Sequence, residues 1–268
     1  MSKEYRVIII EDDPFACDLM GLLLARDWRT HVAAELGLGT EAELKKILSG
    51  PTHHIDVVLV DTETPIDPHW PGRAAQIALS AHPAPAVLYT CTRPEAGMLE
   101  RLPRADKGGF VVKNEVLYAL ASAVCAAGKG EWVVTPGVLN IGSRASVHTN
   151  TRLMSGNTPV ARFTRREKDI LRLGILLNLS QRDIADELVV SQDFVSEIMG
   201  QLYEKLGLHD VLSGTTPLED YFSDENILEH CRSILNQVTH LETEKTQHKA
   251  PWMATLAFHL LTAPKIDG

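Results

Sequence analysis

Acidic, hydroxyl and basic side chains directly follow short apolar runs at several places in this sequence. The run 55–60 is rich in β-branched residues, is too short for a helix and ends on Asp61, which is typical of a strand buried on both faces. Similar runs precede the other polar side chains, which are Glu11, Asp12, Thr90 and Lys113. Because the carboxyl ends of parallel strands meet at one edge of a sheet, we expect these five side chains to be neighbours.

These residue types indicate phosphoryl chemistry at a metal ion. Carboxylates that lie close together repel one another, and an oxygen-only ligand set favours Mg²⁺, so Glu11, Asp12 and Asp61 are the predicted metal ligands. A metal-neutralised carboxylate can attack a phosphoryl group and hold it as an acyl phosphate, which makes Asp61 the predicted acceptor. Lys113 would pair with the new dianion, and Thr90 would donate its hydroxyl to a phosphoryl oxygen. Any one of these acids alone fits a solvated turn better than a site, but all five groups at strand ends favour a site.

The elements that must position these groups alternate along the chain. Five predicted strands alternate with five predicted helices, which is typical of an α/β doubly wound parallel sheet of the flavodoxin-like kind. The predicted strands are 5–10, 32–35, 55–60, 86–89 and 109–112. The predicted helices are 15–26, 41–48, 73–81, 94–102 and 115–127. The first helix carries an apolar stripe at helical spacing, formed by Phe15, Leu19, Leu22 and Leu23.

Length and composition set limits on the whole chain. Its 268 residues are enough for two small domains, and its formal net charge of −9 does not indicate nucleic-acid binding. The four cysteines lack CxxC spacing, which predicts buried, reduced thiols rather than a zinc or redox site. No signal peptide opens the sequence and no apolar run reaches the length of a membrane span. We therefore expect a cytoplasmic protein without membrane contact.

Residues 1–127 resemble the receiver domain of bacterial two-component response regulators. The matching pieces are Glu11-Asp12 with Pro14 close behind, Asp61 with Pro65 four residues on, Thr90 after the fourth strand, and Gly109-Phe110-Val111-Val112-Lys113. The resemblance implies that a sensor histidine kinase phosphorylates Asp61. It also implies that Asp12 and Asp61 bind Mg²⁺ with Glu11 behind them, and that Thr90 and Lys113 contact the phosphate.

The next two segments differ sharply in character. Residues 128–162 become rich in small polar residues, which predicts a flexible linker. Its start, Gly128-Lys129-Gly130-Glu131-Trp132-Val133-Val134-Thr135-Pro136, resembles the linker that follows the receiver in NarL/FixJ-type regulators. In residues 163–212, the run Thr164-Arg165-Arg166-Glu167 is a capping box, Ser180 and Ser191 precede two further helices, and Gly207 ends the last. This pattern predicts an all-α helix-turn-helix domain. It resembles the LuxR-type DNA-binding domain through that capping box, Asp183-Ile184-Ala185 and Lys205-Leu206-Gly207.

Seven side chains of this segment are the predicted contacts to double-stranded DNA. They are Arg165, Arg166, Arg182, Gln192, Ser196, Gln201 and Lys205. One physical objection stands against them. Between residues 163 and 210, six Lys and Arg face nine Asp and Glu, a net charge of −3, although phosphate contacts normally dominate DNA affinity. A solvated helix surface is therefore an equally good interpretation of these side chains.

Residues 213–268 form a predicted helical extension. The segment 224–245 carries one apolar stripe at Ile227, Ile234, Val238 and Leu241. This stripe either pairs with a second subunit, which we prefer, or packs within the chain. The apolar stretch 252–261 is too short to span a bilayer and is expected to dock on a protein surface.

The sequence thus predicts a phosphorylation-controlled, DNA-binding transcriptional regulator that acts as a homodimer and is not an enzyme. Phosphorylation of Asp61 would change dimerisation or interdomain contacts. The alternative is a regulator that acts by protein–protein interaction with weak or no direct DNA reading. A small-molecule phosphotransferase is disfavoured because the sequence has no GxxxxGK[ST] loop.

Overall fold

A computed structural model of the chain describes residues 3–50, 54–64, 66–95, 97–141, 149–156, 162–240 and 250–264. Pro65, one of the receiver-like positions, lies outside these residues. The chain divides into two compact units, which we call the sheet unit (1–155) and the helical unit (156–268).

The sheet unit is built on one parallel sheet. Its strands are β1 (Tyr5–Ile10), β2 (Thr30–Leu36), β3 (Val57–Asp61), β4 (Ala86–Cys91), β5 (Gly108–Val112), β6 (Trp132–Val134) and β7 (Thr151–Leu153). Their order is β2-β1-β3-β4-β5-β6-β7, and all neighbouring strands run parallel. The doubly wound parallel architecture is confirmed. The predicted count of five strands is wrong, because two further strands extend the sheet beyond β5.

Helices cover both faces of this sheet. They are α1 (Pro14–Arg26), α2 (Glu41–Leu48), α3 (Trp70–Leu79), α4 (Met98–Arg101), α5 (Lys113–Val116), α6 (Leu120–Gly128) and α7 (Pro136–Leu139). Successive strand residues point to opposite faces, so Ile9 packs with Leu24 of α1 in one core while Ile8 packs with Leu44 of α2 and Trp70 of α3 in the other. This burial on both faces explains why the central strands read as continuous apolar runs.

Several predicted helices differ from those observed. The predicted helix 73–81 is observed as Trp70–Leu79, and the predicted helix 94–102 is observed only as Met98–Arg101. On α1, Phe15 and Leu19 are solvent-exposed, at 83% and 47% of their surface, so only part of the apolar stripe enters the core. The predicted helix 115–127 is interrupted at Leu117, whose φ of 41° is unusual for a side chain with a Cβ. The break separates α5 from α6, so that the four residues Lys113–Val116 directly after β5 form a separate short helix.

The predicted linker is partly built into the sheet. Trp132–Val134 pairs in parallel with Gly108–Phe110, and Thr151–Leu153 pairs with Trp132–Val134 in turn. Both strands have only three residues, which is too short for a periodic pattern to reveal in sequence. Residues 142–148 and 157–161 of that segment lie outside the described part of the chain.

In its described residues, the helical unit contains six α-helices, of which the first three are the predicted capped helices. The six are α8 (Arg165–Leu171), α9 (Gln181–Leu188), α10 (Gln192–Lys205), α11 (Leu208–Leu212), α12 (Glu225–His240) and α13 (Ala250–Thr262). Thr164 and Glu167 form the predicted capping box, and Ser180 and Ser191 cap α9 and α10. A π-helical turn, Arg172–Leu176, continues α8 and was not predicted.

The extension folds back within its own unit. Ile227, Ile234 and Val238 of α12 are buried, and α12 packs against α13. Every residue from Leu256 to Ala263 is buried, so α13 is a core helix. The preferred interpretation of the stripe as a dimer surface is therefore wrong for these three residues of α12, because the chain itself covers them; Leu241 lies outside the described residues.

Among the residues that the structure describes, none of the helices is long and apolar enough to span a lipid bilayer.

Candidate functional site

The predicted acids lie where the strand order of the sheet reverses. β1 lies between β2 and β3, and in open α/β sheets the crevice beside such a reversal is the usual ligand site. Glu11 directly follows β1, and Asp61 ends β3. The side chain of Asp13 caps the start of α1 by accepting the N–H of Phe15 at 2.9 Å. The helix α1 therefore begins directly after Glu11 and Asp12.

The three predicted metal ligands and Lys113 lie around one point. Glu11, Asp12 and Asp61 each offer a carboxylate oxygen, and these oxygens all lie within 4.8 Å of one another. Nζ of Lys113 is 2.7 Å from Oε2 of Glu11 and 2.8 Å from Oδ1 of Asp61. Glu11 and Asp61 are buried, and Asp12 is half-buried. We call Glu11, Asp12 and Asp61 the carboxylate cluster.

Burial dominates the electrostatics of this cluster. Burial raises the pKa of Asp61, and its contact with Lys113 offsets only part of that effect. Burial likewise raises the pKa of Glu11, although Lys113 opposes the change. Burial alone would lower the pKa of Lys113, but the charges of Asp61 and Glu11 outweigh it and raise the pKa. The two buried acids thus depend on a cation for their ionised form.

Thr90 completes the predicted set. It is paired with Asp61 in the register of β3 and β4, and its side chain is 1% exposed. Its hydroxyl makes no hydrogen bond to any residue that the structure describes. Leaving a buried hydroxyl unpaired costs about 1–3 kcal/mol, so this position favours an acceptor that arrives from outside the chain.

The carboxylate cluster fits a Mg²⁺ ion. Its donors are all carboxylate oxygens, which hard cations prefer. Nζ of Lys113 lies 2.8 Å from Oδ1 of Asp61, and a carboxylate oxygen can accept from more than one partner. That oxygen therefore keeps a lone pair available to a cation.

The structure also reveals a role for Glu63 that the sequence did not indicate. Its carboxylate accepts the backbone N–H of Thr92 at 2.5 Å and of Arg93 at 2.8 Å. Oδ2 of Asp61 accepts the N–H of Glu63 at 3.2 Å. Glu63 thus ties the loop after Asp61 to the loop after β4. Its only signal in the sequence is a carboxylate two residues after Asp61, which is not specific.

Replacing Asp61 with asparagine is expected to stabilise the sheet unit at pH 7. Because the folded-state pKa of Asp61 is raised, the stability linked to its protonation is present below its unfolded pKa and is lost as pH rises through the folded pKa. The amide of the Asp61→Asn variant does not ionise. The free energy of unfolding of this variant should therefore exceed that of the wild type by an amount that grows from pH 4 to pH 7. Urea unfolding at several pH values measures this, with Asp18→Asn on the exposed side of α1 as the control. An advantage that does not depend on pH would contradict the prediction.

Six of the seven predicted DNA contacts are solvent-exposed in the helical unit. They are Arg165, Arg166, Arg182, Gln192, Ser196 and Gln201. On α10 they share the exposed surface with the acids Asp193, Glu197 and Glu204. The three arginines lie on α8 and α9, outside α10.

Lys205, the seventh, is engaged within the fold. Its Nζ lies 2.6 Å from Oε1 of Glu167, which is 3% exposed. Oε2 of the same carboxylate accepts the N–H of Thr164 at 2.8 Å. Burial would raise the pKa of Glu167, but the hydrogen bonds from Lys205 and Thr164 outweigh burial and lower it. The ion pair therefore joins the end of α10 to the start of α8.

Replacing Lys205 with alanine is expected to lower the stability of the helical unit by about 2 kcal/mol at pH 7, because a buried carboxylate loses its charged partner. The pKa of Glu167 is lowered on folding, so its stabilising contribution is present above its unfolded pKa and is lost as pH falls through the folded pKa. The deficit should therefore shrink in acid. Urea unfolding measures it, and Arg172→Ala, an exposed neighbour, should cost little. Equal losses in both variants would remove the structural role of the ion pair.

Known proteins resemble this chain over most of their length. No model of a known protein family matches the sequence. The Fimbriae Z protein of Salmonella typhimurium is 26% identical over 226 residues, which cover 84% of this chain and 100% of that protein. The probable transcriptional regulatory protein NarL of Mycobacterium tuberculosis is 27% identical over 219 residues, covering 78% of this chain and 90% of that protein. The uncharacterized transcriptional regulatory protein YvfU of Bacillus subtilis is 27% identical over 201 residues, covering 75% and 90%.

Solved structures of response regulators also match. The response regulator ChrA of a heme-sensing two-component system is 25% identical with a TM-score of 0.37, covering 76% of this chain and 90% of that chain. RcsB of Salmonella typhimurium is 18% identical with a TM-score of 0.42, covering 86% and 100%. Both TM-scores are low, so the similarity is judged from the sequence relatives and from the carboxylate cluster beside Lys113. By these two observations the chain is similar to transcriptional response regulators of the NarL/FixJ type.

Proposed function

We propose that phosphorylation of Asp61 switches this regulator. The observation that carries the proposal is the meeting of a buried acceptor carboxylate, a lysine and a hydroxyl at one edge of the sheet. Lys113 is 2.8 Å from Asp61, and Thr90 offers a hydroxyl without a hydrogen bond to the described residues. A phosphoryl group on Asp61 would provide the acceptor that this hydroxyl lacks.

Asp61 acts as the nucleophile in this reaction. One carboxylate oxygen attacks the phosphorus of a phosphohistidine on the sensor histidine kinase, so an O–P bond forms while the P–N bond breaks and the imidazole leaves with a proton from solvent. Lys113 stabilises the charge that develops on the phosphoryl oxygens, and Thr90 donates a hydrogen bond to one of them. A Mg²⁺ ion held by Glu11, Asp12 and Asp61 would supply the neutralising charge that lets two anions approach.

The helical unit provides the DNA-binding output. Helices α9 and α10 with the turn 189–191 form a helix-turn-helix, in which α10 enters the major groove. The exposed arginines contact phosphates, and the exposed amide and hydroxyl side chains of α10 read bases. Phosphorylation shifts a two-state equilibrium of the receiver and thereby changes dimerisation or interdomain contacts.

The proposal is tested by capture and sequencing of genomic DNA fragments with and without acetyl phosphate. We expect enrichment of specific fragments that depends on acetyl phosphate in the wild type and does not respond to it in Asp61→Asn. On an enriched fragment, Arg182→Ala should reduce the slope of log affinity against log salt by about one. Identical fragments and affinities in all conditions would remove phosphorylation as the switch.

The second candidate is a regulator that acts by binding another protein. The favouring observation is the surface of α10, where Asp193, Glu197 and Glu204 are exposed and Lys205 is engaged with Glu167. Acids on a helix that faces DNA would repel the phosphates. If no genomic fragment binds with salt-dependent affinity while a protein partner is retained by the wild type, this second function replaces the first.

A further inference from the structure

Lys113 is held from two sides by the segment that follows the predicted receiver. Lys113 begins α5 directly after β5. Val112, directly before Lys113, and Glu115, two residues after it, are both hydrogen-bonded to the corner between β6 and α7. This corner, formed by Thr135, Pro136 and Gly137, belongs to the part of the chain that the sequence predicts as a linker.

The first attachment lies immediately before Lys113. The backbone N–H of Val112 donates to Oγ1 of Thr135 at 3.0 Å. Thr135 is fully buried, and it precedes α7 without capping that helix with its side chain. Its hydroxyl is therefore used to fix the end of β5.

The second attachment lies two residues after Lys113. Both oxygens of Glu115 accept the backbone N–H of Gly137, at 3.1 and 2.9 Å. A Cβ on Gly137 would lie only 2.7 Å from Oε1 of Glu115, so a glycine permits this close approach. Leu117, with its φ of 41°, ends α5 two residues later. Backbone strain at such a residue persists only where surrounding contacts fix the chain.

From these contacts we infer that Glu115, Thr135 and Gly137 form a brace that positions the Lys113 ammonium between Glu11 and Asp61. The inference rests on the proposed phosphorylation of Asp61, because it assigns the added strands a role in that reaction. Glu115 and Thr135 are positioning residues, since neither touches the reacting atoms. The brace makes the reactivity of the receiver depend on β6 and α7, which an isolated five-stranded receiver would lack.

The brace is tested with the variants Glu115→Ala and Thr135→Val in the full chain. Each removes one attachment, and the rate of phosphorylation by acetyl phosphate should fall about tenfold, as expected for a misplaced charged group. Glu43→Ala, an exposed acid on α2, and Thr135→Ser, which keeps the hydroxyl, should react like the wild type.

A second readout does not require phosphorylation. Acetylation of Lys113 by an amine-reactive ester, measured by mass spectrometry, should be slow in the wild type because its ammonium contacts two carboxylates. It should be faster in both brace variants and unchanged in the controls. If both variants are labelled and phosphorylated at the same rates as the wild type, the inference of a brace is overturned. If the wild type takes no phosphoryl group, the proposed function fails, and the labelling rates alone then decide the brace.

Discussion

Replacing Gly108 with alanine is expected to unfold the sheet unit or to lower its free energy of unfolding by about 4 kcal/mol or more. A Cβ at this position would lie 1.9 Å from the carbonyl oxygen of Val87 on β4, closer than any real contact. The φ of Gly108 is 128°, which a residue with a Cβ rarely adopts. Neither strand can move away, because β4 and β5 both lie inside the sheet.

The matched control is Gly37→Ala, because nothing lies within 4 Å of the Cβ that would be added there. Circular dichroism and urea unfolding of both variants measure the difference. We expect Gly37→Ala to unfold close to the wild type, whereas Gly108→Ala loses its cooperative transition. A Gly108→Ala protein that unfolds like the control would show that β5 does not lie this close to β4.

The site could be predicted from the sequence because its signals are local and its geometry is general. Each site residue directly follows an apolar run, as Asp61 follows the run that forms β3. Parallel strands bring such ends together whatever the details of the helices between them. The structure accordingly brings Glu11, Asp12, Asp61 and Lys113 around one point.

The two added strands could not be predicted in this way. Trp132–Val134 and Thr151–Leu153 have three residues each, and they lie among small polar residues that favour a linker. The sequence does contain one sign of a strand beyond β5, which is the glycine at position 109. A Cβ there would lie 2.0 Å from the carbonyl oxygen of Val133, so this glycine marks the close approach of a strand beyond β5.

Side-chain partners were the least predictable part of both units. Lys205 is predicted to contact DNA as one of the basic side chains of this segment, but its partner Glu167 lies 38 positions earlier in the sequence. Glu115 and Gly137 are likewise brought together only by the pairing of β5 with β6. Such contacts follow from tertiary structure and leave no periodic pattern in the sequence.

Replacing Lys113 with alanine is expected to lower the free energy of unfolding by about 3 kcal/mol at pH 7, because it leaves the buried carboxylates of Glu11 and Asp61 without a counter-charge. The pKa of each acid is already raised, so each is readily neutralised by a proton as pH falls. The deficit should therefore shrink between pH 7 and pH 5. The pKa of Lys113 itself is raised, so its own contribution is fully present across this range.

Urea unfolding with and without MgCl₂ separates the electrostatic cause from lost packing. A divalent cation supplies the missing charge to the carboxylate cluster, so Mg²⁺ should restore part of the stability of Lys113→Ala. Lys46→Ala, which removes an exposed lysine from α2, should respond neither to pH nor to Mg²⁺ beyond the wild type. If the loss in Lys113→Ala is equal at pH 5 and pH 7 and insensitive to Mg²⁺, the lysine contributes packing rather than charge, and the electrostatic argument for a phosphoryl-binding role loses its basis.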